Sequence, residues 1–360
     1  MYVKMTSIAK IGRWTHLAFD RVNVSFRELE FRTKFFWSNC DPDFSAYRKR
    51  FLVGGTHFTK HACGNGYLVR SICSDRTLKE VHGTNEVRYE PGAWGFVELV
   101  RFNPKPGVRI FAKLEGQNPS GSIKDRIVLA MVEDAEAKGE IKQGDTIVEA
   151  SSGNTAIALA LVAKQKGYRV EVVIPGEVAP SIGDLLELYG ATITWCEPIA
   201  GMKGAIDIAK DIASKPNCHY LGQFDNEINL MTHYKKTAQE IIDAGINVDV
   251  LVAGIGTGGT ITGLSRRLRE VNPEIEVVGI EPKLGESLQG LRSMSEGYVP
   301  PLVDLAMLDG RFLVDSATAI SFARLITDKE GILAGVSAGA GLHVALRIAE
   351  NKDQANILII

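Results

Sequence analysis

The stretch DTIVEASSGNTAIALALVAKQKGYRVEVVIP, residues 145–175, decides the fold. It opens on a β-branched apolar run, DTIVEA (145–150), and turns through the small polar residues SSGNT. An apolar segment at helical spacing follows over 155–166, stopped by Gly167, and a second β-branched run, RVEVVIP (169–175), comes directly after. The order strand, helix, strand, with strands too continuously apolar to be half exposed, predicts parallel neighbours covered on both faces.

The same rhythm extends in both directions. Upstream, RIFAKLE (109–115) predicts a strand and 123–138 a helix. Downstream come DLLELYG and ATITW (184–195), helices over 202–214 and 229–244, and the strand VDVLVA (248–253). A helix over 260–271, the strand EVVGIE (276–281), helices over 317–329 and 341–350, and the strand NILII (356–360) complete it. This is an α/β architecture. Because NILII is apolar to its last residue, a further capping segment is expected beyond it.

With 360 residues, the chain has room for two cored domains and a small extra module. The first 95 residues lack the α/β rhythm and are rich in aromatics, Trp14, Phe19, Phe26, Phe31, Phe35, Phe36, Trp37, Phe44 and Phe51 among them, so they read as a separate N-terminal extension. Lys plus Arg number 41 and Asp plus Glu 43, a balance without pull toward nucleic acid or anionic membrane. No apolar run approaches the roughly 20 residues of a membrane helix. Five cysteines, an odd and sparse set without a secretory signal, fit a reducing cytoplasm. His57, His61, Cys63 and Cys73 lack a zinc-site spacing, and no metal is expected.

In open α/β sheets ligands sit in the loops that leave the carboxyl ends of the strands. Four such loops carry polar and glycine residues: NPSGSIKDR (118–126), ASSGNTA (150–156), AGIGTGGTITG (253–263) and AGVSAGAG (334–341). In the first, Ser122 and Asp125 have the spacing of a capping box, which sets Lys124 in the opening turn of a helix. The positive end of the helix dipole disfavours an ammonium there and favours the free amine, the form that condenses with an aldehyde. The second loop offers backbone N–H groups and hydroxyls to a small anion such as a carboxylate, although Ser, Gly and Asn also serve there simply as caps. The third satisfies GxGxxG through Gly254, Gly256 and Gly259, with Glu281 ending the next strand, so an NAD-dependent dehydrogenase is one reading. The hydroxyls of Thr257 and Thr260 suit a terminal phosphate monoester, which is another.

Taken in order, NPSGSIKDR, SSGNT, Gln223-Phe224, GTGGT and GVSAGAG resemble the fold-type II pyridoxal-phosphate enzymes of the cysteine synthase and cystathionine β-synthase family. The resemblance implies two doubly wound sheet domains of the tryptophan synthase β type behind the N-terminal extension (1–95). The large cofactor-binding domain would comprise 96–117 and 223–360, and the small substrate-binding domain 118–222. It also implies pyridoxal 5'-phosphate as cofactor, with Lys124 holding its aldehyde, Gly256, Thr257, Gly258, Gly259 and Thr260 its phosphate, Asn154 its ring hydroxyl and Ser337 its pyridine nitrogen. Ser151, Ser152, Gly153, Asn154, Thr155 and Gln223 would take the substrate carboxylate. The implied reaction is β-replacement through an aminoacrylate, in a cytoplasmic homodimer. GESLQGLRSMSEGYVPPL (285–302) is similar to the branch that uses O-phosphoserine, in which Arg292 would meet the substrate phosphate. A guanidinium fork suits a phosphate dianion and gains nothing from an uncharged acetyl ester. O-Acetylserine with sulfide, or serine with homocysteine, are the other substrate pairs the family allows.

Overall fold

In the strand Ala355–Ile359 the side chains of Ile357 and Ile359 pack into one apolar cluster and Leu358 into another, on the opposite side of the sheet. Covered on both faces, such a strand has no solvent side to spend polar residues on, which accounts for the unbroken apolar runs. The computed structural model describes residues 71–72 and 95–360, apart from 177 and 296. The aromatic residues of the N-terminal extension, and His57, His61, Cys63 and Cys73, lie outside the described residues.

Two sheets organise the described residues. The strands are β1 (Ser71–Ile72), β2 (Phe96–Glu98), β3 (Val108–Lys113), β4 (Thr146–Ala150), β5 (Arg169–Pro175), β6 (Thr192–Cys196), β7 (Cys218–Tyr220), β8 (Val250–Gly254), β9 (Glu276–Pro282), β10 (Gly310–Val314) and β11 (Ala355–Ile359). One sheet has seven strands in the order β1-β2-β3-β11-β8-β9-β10, parallel from β3 onward with β1 and β2 antiparallel. The other has four parallel strands in the order β6-β5-β4-β7. The helices are α1 (Lys124–Lys138), α2 (Asn154–Lys166), α3 (Pro180–Tyr189), α4 (Gly201–Ala213), α5 (Glu227–Thr232), α6 (Ala238–Asp243), α7 (Gly259–Val271), α8 (Ser316–Glu330) and α9 (Val336–Ala349). Among the described residues no helix is long and apolar enough to cross a membrane.

Several expectations change. The helix expected over 229–244 is three pieces, α5, a π-helical turn at His233–Thr237, and α6. The helix expected at 341–350 begins at Val336, so most of AGVSAGAG is helix and Ser337 sits in its first turn. RIFAKLE is strand only to Lys113, after which Glu115–Gln117 form a 3-10 turn. Strand β10 was not anticipated, since GRFLV is a short edge strand with alternate exposure, opened by Gly and Arg. Strands β2 and β7, three residues each, are too short for a period to register.

Candidate active site

Loops at the carboxyl ends of β4, β5, β7, β8 and β9 converge on a cleft of about 490 Å3. Its wall contains Lys124, the 151–155 turn, Gln223, Gly256, Thr257, Gly258, Thr260, Arg292 and Ser337. Of the residues the resemblance assigns to cofactor or substrate, all but Gly259 are in the wall.

Lys124 begins α1 and is partly buried. Burial pushes its ammonium pKa down to about 8. The expected capping box does not form. The Ser122 hydroxyl accepts from the Lys124 N–H at 3.2 Å, but the Asp125 carboxylate reaches back to Ser120, taking its N–H at 3.1 Å and its hydroxyl at 2.8 Å. Asp125 thereby staples the turn before Lys124 to the helix after it. The next residue, Arg126, is almost fully enclosed and makes paired bonds to Glu115 (2.7 and 3.0 Å) and to Glu240 (both 2.7 Å). The Lys113 ammonium joins the same carboxylates at 2.8 and 2.7 Å. Burial alone would raise the Glu115 pKa, but the Lys113 and Arg126 charges outweigh it and carry it down to about 2. The root of α1 is thus tied to β3 and α6 by the buried charges of Lys113, Glu115 and Arg126 and the partly buried Glu240.

The turn after β4 is tied to the turn after β7. The Thr155 hydroxyl donates to Gln223 Oε1 at 2.7 Å, and Gln223 Nε2 donates to the Ala150 carbonyl at 2.9 Å. Ser151 Oγ accepts from the N–H groups of Gly153 and Ala156, both at 3.3 Å. Ser151, Thr155 and Gln223 are therefore buried and engaged with the loops themselves, while Ser152, Gly153 and Asn154 face the cleft with the N-terminal N–H groups of α2. Beneath them Glu149, fully buried, accepts from the N–H groups of Ala150 (2.9 Å) and Gln223 (3.1 Å). Burial pushes its carboxyl up to about 8 in spite of these donors. Sequence reasoning passed Glu149 over because a lone acid in a strand carries no spacing signal.

The third loop wraps tightly. Gly258 has φ of +91° and a Cβ there would lie 2.6 Å from Val303 N, so only glycine fits the turn. Thr257 Oγ1 accepts from Asn229 Nδ2 at 3.0 Å, and Thr260 Oγ1 lies 3.2 Å from His233 Nε2. His233 is fully buried and touches this loop. Glu281, the acid a dinucleotide fingerprint would present to a ribose, is also buried, where it accepts from Met294 N–H (2.7 Å) and Arg311 (2.9 Å). That removes the dehydrogenase reading. Across the cleft, the Arg292 guanidinium lies 5.2 Å from the Phe224 ring centre and 6.0 Å from that of Tyr298, and the Arg292 backbone N–H donates to Ile255 O at 2.8 Å.

A family model described as pyridoxal-phosphate dependent enzyme matches residues 90–360. The chain is 38% identical over 265 residues to cysteine synthase B of Escherichia coli (strain K12), across 73% of this chain and 88% of that one. Among solved structures it is similar to an O-ureido-L-serine synthase, with 38% identity and a TM-score of 0.70 over 75% of this chain and 88% of the other. It is also similar to an O-acetylserine dependent cystathionine beta-synthase from Helicobacter pylori, with 31% identity and a TM-score of 0.70 over 75% and 92%.

Proposed function

Because the chain belongs to the pyridoxal-phosphate-dependent enzymes of the cysteine synthase type, we propose that it makes L-cysteine from O-phospho-L-serine and sulfide, releasing inorganic phosphate. Residues 96–117 and 223–360, which carry all of the seven-stranded sheet except β1, serve as the cofactor domain, and 118–222 with the four-stranded sheet as the substrate domain.

The cleft offers a partner to each part of pyridoxal phosphate. An amine with its pKa near 8 suits the aldehyde, the turn Gly256–Thr260 at the mouth of α7 suits the phosphate, Asn154 the ring hydroxyl and Ser337 the pyridine nitrogen. When bound, this group withdraws electrons from the substrate Cα, which acidifies its hydrogen and lets a Cβ substituent leave. The protein does the rest. With Thr155 bonded to Gln223, Gln223 to the Ala150 carbonyl and the Ser151 oxygen to the N–H groups of Gly153 and Ala156, the substrate carboxylate is met by Ser152, Asn154 and the N–H groups at the start of α2. Lys124, in the cleft wall, would be the base that takes the Cα proton. Ser337 is a neutral hydroxyl, so it leaves the ring nitrogen largely unprotonated and favours loss of the β substituent over transamination.

The observation that supports phosphate as leaving group is Arg292, a fixed cation in the cleft wall resting against two aromatic rings. Its planar fork pairs with a phosphate dianion, whereas an acetyl or hydroxyl substituent brings no charge. Steady-state rates with O-phosphoserine, O-acetylserine and serine test the assignment. Arg292→Ala is expected to lower kcat/KM for O-phosphoserine by about 10- to 100-fold and to spare O-acetylserine, since hydrogen bonds to charged groups are worth about 1.5–3 kcal/mol. Equal losses with both esters would remove phosphoserine from the reading and favour an acetylserine-dependent enzyme.

The reading also has the enzyme working as a cytoplasmic homodimer. The face of α8 carrying Ala317, Ile320 and Arg324 is open, with Ile320 40% exposed. Sedimentation velocity at micromolar protein checks this, and a monomer alone would refute the dimer.

A further inference from the structure

Both threonines of the Gly256–Thr260 turn are backed by one helical segment. Asn229 in α5 is fully buried, and its Nδ2 donates to the Gln223 carbonyl at 2.8 Å and to Thr257 Oγ1 at 3.0 Å. A carbonyl only accepts, so the nitrogen end must face Gln223, and the second hydrogen of the same NH2 goes to Thr257. The cost is visible. Asn229 Oδ1 is buried with no hydrogen-bond partner. One turn later, where the helix passes into its π-helical segment, His233 stands between two hydroxyls, with Nδ1 3.0 Å from Thr237 Oγ1 and Nε2 3.2 Å from Thr260 Oγ1. Burial, with Lys124, Arg126 and Lys113 nearby and only Glu240 opposing them, keeps the ring neutral, so it carries one N–H. Gly259 and Gly263 allow this helix to come so close. A Cβ on the first would lie 2.0 Å from Asn229 Oδ1, and on the second 2.5 Å from the Leu230 carbonyl.

A threonine hydroxyl has a single hydrogen, and a phosphate dianion only accepts. Should Thr257 or Thr260 give that hydrogen to the helix behind it, a lone pair would face the phosphate and repel it. We propose that Asn229 and His233 are positioning residues for the cofactor phosphate. Each donates a hydrogen to the oxygen of a cradle threonine, and both hydroxyl hydrogens are thereby kept for the phosphate. For His233 this selects the tautomer with the proton on Nε2, while Nδ1 accepts from the Thr237 hydroxyl. The inference rests on the assignment of Gly256–Thr260 to the phosphate.

Apoprotein binding of pyridoxal phosphate and of pyridoxal, which lacks the phosphate, tests it by equilibrium absorbance titration. His233→Leu is expected to weaken pyridoxal phosphate binding by about 10- to 100-fold and leave pyridoxal binding unchanged, because only the former meets the threonines. His233→Gln, whose amide can donate to Thr260, recovers most of the loss. In a Thr260→Val background His233→Leu adds nothing, since the hydroxyl it acts through is gone. Asn229→Leu follows the same pattern against Thr257→Val. If His233→Leu does not fold, Thr237→Val removes the hydroxyl that fixes the tautomer and is expected to weaken pyridoxal phosphate selectively. Equal weakening of both ligands, or losses that add to that of Thr260→Val, would overturn the proposal. Thr260→Val binding pyridoxal phosphate normally would overturn the cradle assignment and this inference with it. A loss in Thr260→Val without one in the His233 variant, or in Thr237→Val where that variant does not fold, would overturn the inference alone.

Discussion

Replacing Lys124 with alanine is expected to lower turnover by at least about 10³-fold and to leave the protein without the absorbance of lysine-bound cofactor, because one amine serves both as the covalent anchor and as the base. Burial makes the effect pH-dependent in a defined direction. The Lys124 ammonium pKa lies near 8, so capture of pyridoxal phosphate by wild-type apoprotein should quicken about tenfold per pH unit below that value and level off above it. Stability runs the same way. The folded chain releases this proton near 8 and the unfolded chain near the ordinary 10.5, so the unfolded state binds more protons between those values and the apo fold gains stability as pH rises through them. Lys124→Ala should lose that slope. Stopped-flow absorbance and urea unfolding across pH 6–10.5 read both effects, and a Lys124→Ala protein that still turns yellow and reacts would sink the assignment.

The second large effect belongs to stability. Arg126→Leu is expected to destabilise the apo fold by about 3–5 kcal/mol, the usual consequence of removing one partner from a buried ionic cluster. Glu115 would lose its paired bonds and keep Lys113 and the Asn118 amide, and Glu240 would lose its paired bonds to the guanidinium. The exposed pair Arg347–Glu350 is the comparison, and its removal should change little. Urea unfolding of the two variants side by side gives the contrast. A shift for Arg126→Leu no larger than that for Arg347→Leu would mean that the cluster contributes nothing to holding α1. The same experiment tests whether the helix that presents Lys124 is anchored at its root, since Arg126 lies two positions beyond it.

The parts of this molecule legible in its sequence were those written in neighbouring residues. DTIVEA, SSGNT and RVEVVIP announce strand, turn and strand because the pleat and the helix have fixed periods, and the longer parallel strands of both sheets follow from repeating that pattern. Part of the cleft was legible for the same reason, the 151–155 and Gly256–Thr260 turns each sitting between a readable strand and a readable helix. What escaped was set by contacts between distant segments. Asn229 meets Thr257 across 28 positions and His233 meets Thr260 across 27, and neither pairing has a local signature. The π-helical turn that carries His233 is invisible to a 3.6-residue period, which reads straight through it. Asp125 shows the opposite failure. Its spacing from Ser122 matched a capping box, yet the tight turn of Asn118–Ser122 brought Ser120 within reach and took the carboxylate instead.

Strand β11 lies between β3 and β8 at the middle of its sheet, although in chain order it follows the other ten strands of the described residues. On a ribosome, β3 therefore emerges long before its permanent neighbour, at about 5–20 residues per second some tens of seconds earlier. The four-stranded sheet is contiguous from β4 to β7 and can assemble as soon as it leaves the exit tunnel. The seven-stranded sheet must wait with apolar edges exposed, and the nascent chain depends over that interval on whatever shields β3 and β8 from pairing with other chains.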